Sequence, residues 1–470
     1  MSRNLSQCEV VSCQIVNEFD PKRVEDIAQF ITGFEISQSM EAHQYQGFLE
    51  IEETVGLLEN LPLRAEETLL MTIISSDMPY KVILQTRVIR VSDITPMENT
   101  DGAVYKMHFV SKETFNANKR KIIKAYNGQV HEIAKRVFQT YYAKIGGETK
   151  IDQLYGQDFT MNSAKRYNLK ESTIVEDNFG QRKFYLQDTS SATGLTIPDY
   201  TPPYTMNMLA SMGYNTNVPS CTYRFFETLE SYYWVTDEFF IHKHNAGKIK
   251  HLYYGPLGSL DPNRPLAQLE RIEQLQIVNK GLDTATDIFS GAYRSKVTEI
   301  DIVRKQVTDY NFNYDEDADY MDFSGNQART SSEDTQPHTK AFRDETFTEE
   351  NARNFVVYKD YQSIGDIRSN IRSERFVPTI TQNRVSYYHH LNNVQVKAAL
   401  KGRLDLRPGE IIQLDIAQLN VDSKRNQSLG GKYMIKTTSH QMKHGELTTS
   451  LLLVKFDWSA TDSRTDQGNA

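Results

Sequence analysis

The chain has 470 residues and a mass of 54.1 kDa, enough for two to four domains. Charged residues make up 24% and hydrophobic residues 39%, a globular balance, and no apolar run approaches the roughly 20 residues a membrane span needs. The net charge of −8, without a basic stripe, speaks against specific nucleic-acid binding. Residues 1–7 lack the apolar core of a signal peptide, so synthesis in a cytoplasm is expected. Cys8 and Cys13 lie five positions apart, which on one regular strand puts them on opposite faces. These two and Cys221 are therefore read as reduced and structural. The 26 tyrosines and 22 phenylalanines fit either a β-rich core or protein interfaces.

Taken in chain order, residues 5–16 read as an opening strand and 24–31 as a short helix. Strands follow at 33–40, 46–52, 68–75, 82–92 and 103–111, the last after the turn Asn99-Thr100-Asp101-Gly102. Six short strands in about 110 residues predict a small antiparallel barrel or sandwich. Val130, Ile133, Ala134, Val137, Phe138 and Tyr141 then recur at helical spacing, a helix closed by Gly146-Gly147. Phe225, Phe226, Leu229, Tyr232 and Tyr233 also suggest a helix, and 239–244 with 248–254 a hairpin around Asn245-Ala246-Gly247. Strands are expected at 269–280, 291–310 and 394–400, and a closing hairpin at 432–443 and 447–458 around His444-Gly445-Glu446. Residues 313–350 are the most polar segment, and the tail 459–470 is small and polar.

One pattern occurs twice, about 340 residues apart. Leu63-Arg64-Ala65-Glu66-Glu67 leads into Leu69, Met71 and Ile73; Leu406-Arg407-Pro408-Gly409-Glu410 leads into Ile412, Leu414 and Ile416. Period two after a charged turn predicts a strand with one apolar face. Leu63, Arg64, Glu67 and Met71 are matched with Leu406, Arg407, Glu410 and Leu414 as equivalent positions of two related units. Chemistry-bearing constellations are thin. Asp315, Asp317 and Asp319 have the spacing of the first ligands of a calcium loop, but Tyr320 stands where glycine is required and Asn326 where a bidentate Glu belongs. His242, His244 and His251 lack completing cysteines or carboxylates, and His389-His390 beside Tyr387-Tyr388 reads as helix surface or interface. No nucleophile elbow, phosphate loop or zinc-protease motif occurs. No catalytic residue, metal or cofactor is assigned.

The repeated Leu-Arg-x-x-Glu turn, the run Gly33–Met40 leading into Gly47–Ile51, the stretch Gly56–Glu67 and the closing segment Gly430–Leu451 together resemble a family. The chain is similar to baseplate hub proteins of contractile-tailed bacteriophages, whose fold is shared with the hub part of type VI secretion spike proteins. The resemblance covers roughly 1–113 and 390–458. It implies an α+β, mainly β fold: two related antiparallel β-barrel (torus-type) domains, the second discontinuous, plus a mixed α+β outer domain. Domains are expected at 1–113 (first barrel), 114–265 (α+β), 266–312 with 390–458 (second barrel), 313–389 (polar insertion with a helix) and 459–470 (tail). It also implies a homotrimer that adapts a hexameric tail tube to a trimeric spike. The expected partners are tail tube, spike or needle and other baseplate proteins, with DNA only in passage, in a virion tail. Two other readings are a virion-associated peptidoglycan hydrolase, which needs two carboxylates in a cleft, and a carbohydrate-binding tail module with exposed aromatic platforms.

Overall fold

The computed structural model describes residues 6–16, 24–60, 67–77, 81–97, 102–142, 151–155, 169–176, 180–215, 221–240, 249–255, 269–280, 289–292, 294–313, 353–359, 377–392, 394–417 and 429–455. The first unit runs β1 (Cys8–Val16), β2 (Val24–Asp26), a 3₁₀ turn (Ala28–Phe30), β3 (Ile31–Ser39), β4 (Gln46–Glu53), β5 (Thr68–Ser75), β6 (Val82–Pro96) and β7 (Ala103–Ser111). The short helix expected over 24–31 is instead β2 and the 3₁₀ turn, because 24–26 pair with the end of β1. The strands form an antiparallel path β3-β4-β7-β6-β5-β1-β2. Their alternate residues, among them Phe34, Leu49, Leu69, Met71, Ile73, Leu84 and Phe109, build one buried core. Cys8 and Cys13 both point into it, contrary to the strict alternation expected. A bulge between Val10 and Ser12 supplies the reason: one extra residue resets the pleat. Both thiols are free, as is that of Cys221.

The middle of the chain contains α1 (Leu57–Asn60), inserted earlier between β4 and β5, then α2 (Lys112–Asn118), β8 (Ile122–Gln129) and α3 (Val130–Tyr141). It continues with β9 (Ile151–Tyr155), β10 (Leu169–Glu176), β11 (Gly180–Gln187), β12 (Ala192–Tyr200), α4 (Pro202–Ser211), β13 (Arg224–Glu227) and β14 (Ser231–Val235). Helix α3 matches its apolar stripe, and the Thr189 hydroxyl accepts the His131 N–H at 3.2 Å at its start. The glycines 146–147 lie outside the described residues. The aromatic run 225–233 is a hairpin, not a helix. Phe225, Tyr232 and Trp234 face the core under α3 and α4, while Phe226, Tyr233 and Val235 face a separate aromatic cluster with Phe239, Phe240 and Tyr387. With both faces buried, no polar side marks the strand period, and the aromatics mimic helical spacing.

The same 13-stranded sheet continues through β22 into a second unit, the second sheet: β15 (Lys250–Tyr254), β16 (Ile272–Lys280), β20 (Val394–Lys401), β21 (Ile411–Ile416), β22 (Gly431–Lys443) and β23 (Glu446–Lys455). Between them lie β17 (Arg294–Asp301), β18 (Gln306–Asn313), β19 (Arg353–Tyr358) and α5 (Val377–Leu391). Strand β15 pairs with β21 in parallel, and residues 241–248 of the hairpin expected around Asn245-Ala246-Gly247 lie outside the described residues. Pairing with β21 thus places 250–254 in the second unit, and 294–313 falls in a separate three-stranded sheet β18-β17-β19. Leu252, Val396, Ile412, Leu414, Ile416, Tyr433, Ile435 and Leu453 fill the second core.

Among the described residues no ladder closes either unit into a barrel, yet each is rounded off by a single bridge. In the second, the pairing runs β16-β20-β23-β22-β21-β15, and the bridge Tyr253↔Arg271 returns it to the start of β16. In the first, β22 pairs with β3, and the bridge Gln7↔Glu446 joins β23 to the start of β1. The β22–β23 hairpin therefore belongs to both units. Its base buries Tyr433, Ile435, Leu451 and Leu453 in the second core; its tip buries Met442 and Leu447 in the first. The tip turns on His444 (φ 50°) and Gly445 (φ 82°), the left-handed pair of a two-residue hairpin turn.

Candidate assembly interface

The second copy of the repeated turn sits where three parts of the chain meet. Arg407 is 6% exposed. Its guanidinium donates to the carbonyls of Leu404 and Leu406, and at 3.0 Å to Glu230 in the β13–β14 turn. The side chain is thus clamped inside the chain. Glu410 accepts the Arg407 backbone N–H at 3.2 Å and the Lys250 ammonium at 2.8 Å. Lys250 also reaches Asp405 at 3.1 Å, which Arg403 holds through both carboxylate oxygens at 2.7 and 3.2 Å. Asp77, in the β5–β6 turn, accepts the Asp405 N–H at 3.3 Å. Burial pushes the Asp405 carboxyl up, but Arg403 and Lys250 outweigh it and hold its pKa at about 2. This joint ties the first sheet, second sheet and α+β part together.

Of the other matched positions, Met71 and Leu414 are fully buried in the first and second cores, Leu406 joins the second core, and Glu67 is buried just ahead of β5. Leu63 and Arg64 lie outside the described residues. The two strands differ in one respect: β5 lies between antiparallel neighbours, whereas β21 has one parallel neighbour.

A polar band crosses the shared hairpin between its two apolar halves. Thr438, His440 and Thr449 are fully buried there. The Thr449 hydroxyl donates to the Gly402 carbonyl at 2.5 Å and so accepts from His440 Nδ1 at 3.1 Å. Burial, aided by the charge of Arg407, lowers the His440 pKa to about 3, so the ring is neutral in the folded chain. Sequence reasoning missed this histidine, because nothing in a strand's spacing tells that both its faces are covered.

The outer face of the first sheet carries exposed apolar side chains. Val11, Ile74 and Ile83 are exposed on the neighbouring strands β1, β5 and β6. Further along, Ile89, Ile94 and Val104 are exposed on β6 and β7. A β surface this apolar is suited to protein contact. Chemistry-bearing sites are sparser. Among the described residues no three His, Cys, Asp or Glu side chains gather as metal ligands. The acidic segment 315–326, His242 and His244 lie outside those residues. A cleft of about 290 Å³ on α3 is lined by His131, Glu132, Lys135, Arg136, Gln139 and Leu186, with a single carboxylate among them. Among the described residues no helix is long and apolar enough to cross a membrane.

No family model matches the chain, and no curated protein matches it in sequence. Solved structures do. The tail protein from Neisseria meningitidis MC58 is 9% identical and aligns over 96% of this chain and 97% of its own, with a TM-score of 0.50. The 43 kDa tail protein of prophage MuSo2 from Shewanella oneidensis is 9% identical over 95% and 98%, at 0.48. A type VI secretion system component from E. coli is 8% identical over 96% and 77%, at 0.38. The first of these carries the comparison, and at such identity it speaks to fold alone: the chain shares the fold of that tail protein.

Proposed function

We propose that the chain is a structural hub of a contractile tail, without a catalytic role. It assembles as a homotrimer, presents six related sheet units to a hexameric tube, and offers threefold symmetry to a trimeric spike. The channel so formed passes the genome, and the assembled protein resides in the virion baseplate after synthesis in the host cytoplasm. The observation that carries this reading is the internal pairing of two rounded β units around one shared hairpin. Two units per chain in a closed threefold ring give pseudo-sixfold symmetry, and ring closure uses heterologous contacts between successive units. The matched positions Leu63/Leu406, Arg64/Arg407, Glu67/Glu410 and Met71/Leu414 are proposed as equivalents of that duplication, and the expected domain boundaries as its approximate extent, with 250–254 added to the second unit and 294–313 left out of it.

Native mass and symmetry test it. The chain co-produced with its spike is expected to give threefold class averages by electron microscopy. By light scattering it contributes three times 54.1 kDa to the particle. A dimer, or particles without a threefold axis, overturns the proposal.

A further inference from the structure

The β22–β23 hairpin is held along both of its edges. Seven residue pairs join β22 to β3 of the first unit, from Thr437↔Ser39 to Lys443↔Gly33. Seven more join β23 to β20 of the second, from Gln395↔Val454 to Lys401↔Thr448. Further backbone bonds bracket the tip. The Cys8 N–H donates to the Gly445 carbonyl at 2.9 Å, the Leu447 N–H to Ser6 at 2.9 Å, and the His444 N–H to Thr32 at 3.1 Å. From the other side, the Gly402 N–H, just after β20, donates to the Leu447 carbonyl at 2.7 Å. Neither unit can shed the hairpin without baring a strand edge of its own, β3 in the first and β20 in the second.

The passage from one core to the other is fixed as well. A bulge between Ile435 and Thr437 resets the pleat of β22 where the strand leaves the second core. Lys436, inside the bulge, reaches Glu41 at 2.9 Å, and its carbonyl accepts the Met40 N–H at 3.0 Å. Just beyond, the buried Gln38 donates to the Thr438 hydroxyl at 3.3 Å and accepts the Leu229 N–H at 3.0 Å. On the opposite face, Thr437 donates to the Ser39 hydroxyl at 3.1 Å and Ser439 to Glu35 at 2.8 Å. Sliding or bending at this crossing would strip hydrogen bonds from polar groups that water does not reach. The polar band across the hairpin is thus a register lock rather than a hinge.

We infer that the hairpin is a strap that makes the two β units one cooperative body, so that neither opens while the other stays folded. This goes beyond the hub proposal. Its test compares two parts of one chain, so it is read whether or not the chain is trimeric. The measurement is hydrogen exchange of the full chain, followed by mass spectrometry in urea below the unfolding midpoint. Peptides from β5 and β7 report on the first unit, and peptides from β20 and β21 on the second. In the wild type their slowest amides are expected to converge on one opening equilibrium as urea rises. Met442, on the hairpin, belongs to the first core alone. Met442→Ala is nevertheless expected to speed exchange about thirtyfold or more in both units. Asp77→Ala removes the acceptor of the Asp405 N–H, the tie between the units at the joint, and is expected to leave the curves merged. Separate curves in the wild type, or a Met442→Ala effect confined to the first unit or absent from both, overturn the inference. Curves that part in Asp77→Ala overturn it in favour of the Asp405 joint. If Met442→Ala does not fold, the wild-type and Asp77→Ala curves decide.

Discussion

At the residue scale, the buried side chains make the sharpest predictions. Met71→Ala and Leu414→Ala each leave a cavity in a fully packed core, so each is expected to cost about 2–5 kcal/mol, read as a shift in the urea unfolding midpoint. Arg407 and Glu230 are unequal partners. Glu230→Ala leaves the guanidinium its two carbonyl acceptors and costs about 1 kcal/mol, whereas Arg407→Ala strands those carbonyls and costs about 2–3 kcal/mol. His440 couples stability to pH. Its folded pKa of about 3 lies below the unfolded value near 6.5, so above 6.5 it imposes no penalty. As pH falls from 6.5 towards 3 the unfolded chain binds a proton the folded chain refuses, and stability drops by up to about 5 kcal/mol. Asp405, with its pKa depressed from 3.8 to about 2, adds a further loss as pH falls from about 4 towards 2. The unfolding midpoint of His440→Gln is therefore expected to be flatter than wild type across pH 4–6.5; an unchanged slope would assign the acid sensitivity elsewhere. The three thiols, pushed up to about 12 by burial, should resist a disulfide reagent until denaturant is added.

At the element scale, the β22–β23 hairpin bears the most consequence, because one element contributes to two cores. Its turn is the sensitive point. Gly445 at φ 82° tolerates no side chain cheaply, so Gly445→Ala is expected to cost about 1–2 kcal/mol, while His444→Gly relieves a left-handed non-glycine. Both are read in the same unfolding assay. Strand positions were widely legible in the sequence: β3 to β7 and β20 fall where alternation put them, because each has one wet face or a clear turn before it. The hairpin at 224–235 was not, because aromatics fill both its faces. The bulge in β1 was invisible too, since an inserted residue leaves no mark on composition. The parallel pairing of β15 with β21 joins segments about 160 residues apart, which no local pattern encodes.

At the scale of the whole molecule, the outer face of the first sheet supplies the test of assembly. Replacing Val11, Ile74 and Ile83 together by Asp touches no core, so the unfolding midpoint should change by less than about 1 kcal/mol. Charges at an apolar contact are nevertheless expected to abolish the trimer, seen as monomer mass in light scattering. A trimer that survives would move the contact to another face. Zymograms on peptidoglycan with the purified chain are expected to stay blank. Clearing lost on Glu132→Gln would promote the hydrolase reading and identify the cleft on α3.

The sequence by itself determined that the chain is mostly β, that its strands follow period two, and that a charged turn feeding an apolar strand occurs twice. Those properties are local: alternation, turn residues and composition act over a few neighbours. Only the tertiary structure decided that Arg407 is a buried clamp, that His440 is a neutral core residue, and that one C-terminal hairpin completes both β units. Each of these depends on what packs against a segment from hundreds of residues away, and burial from both sides erases the polar face by which a sequence announces its folding.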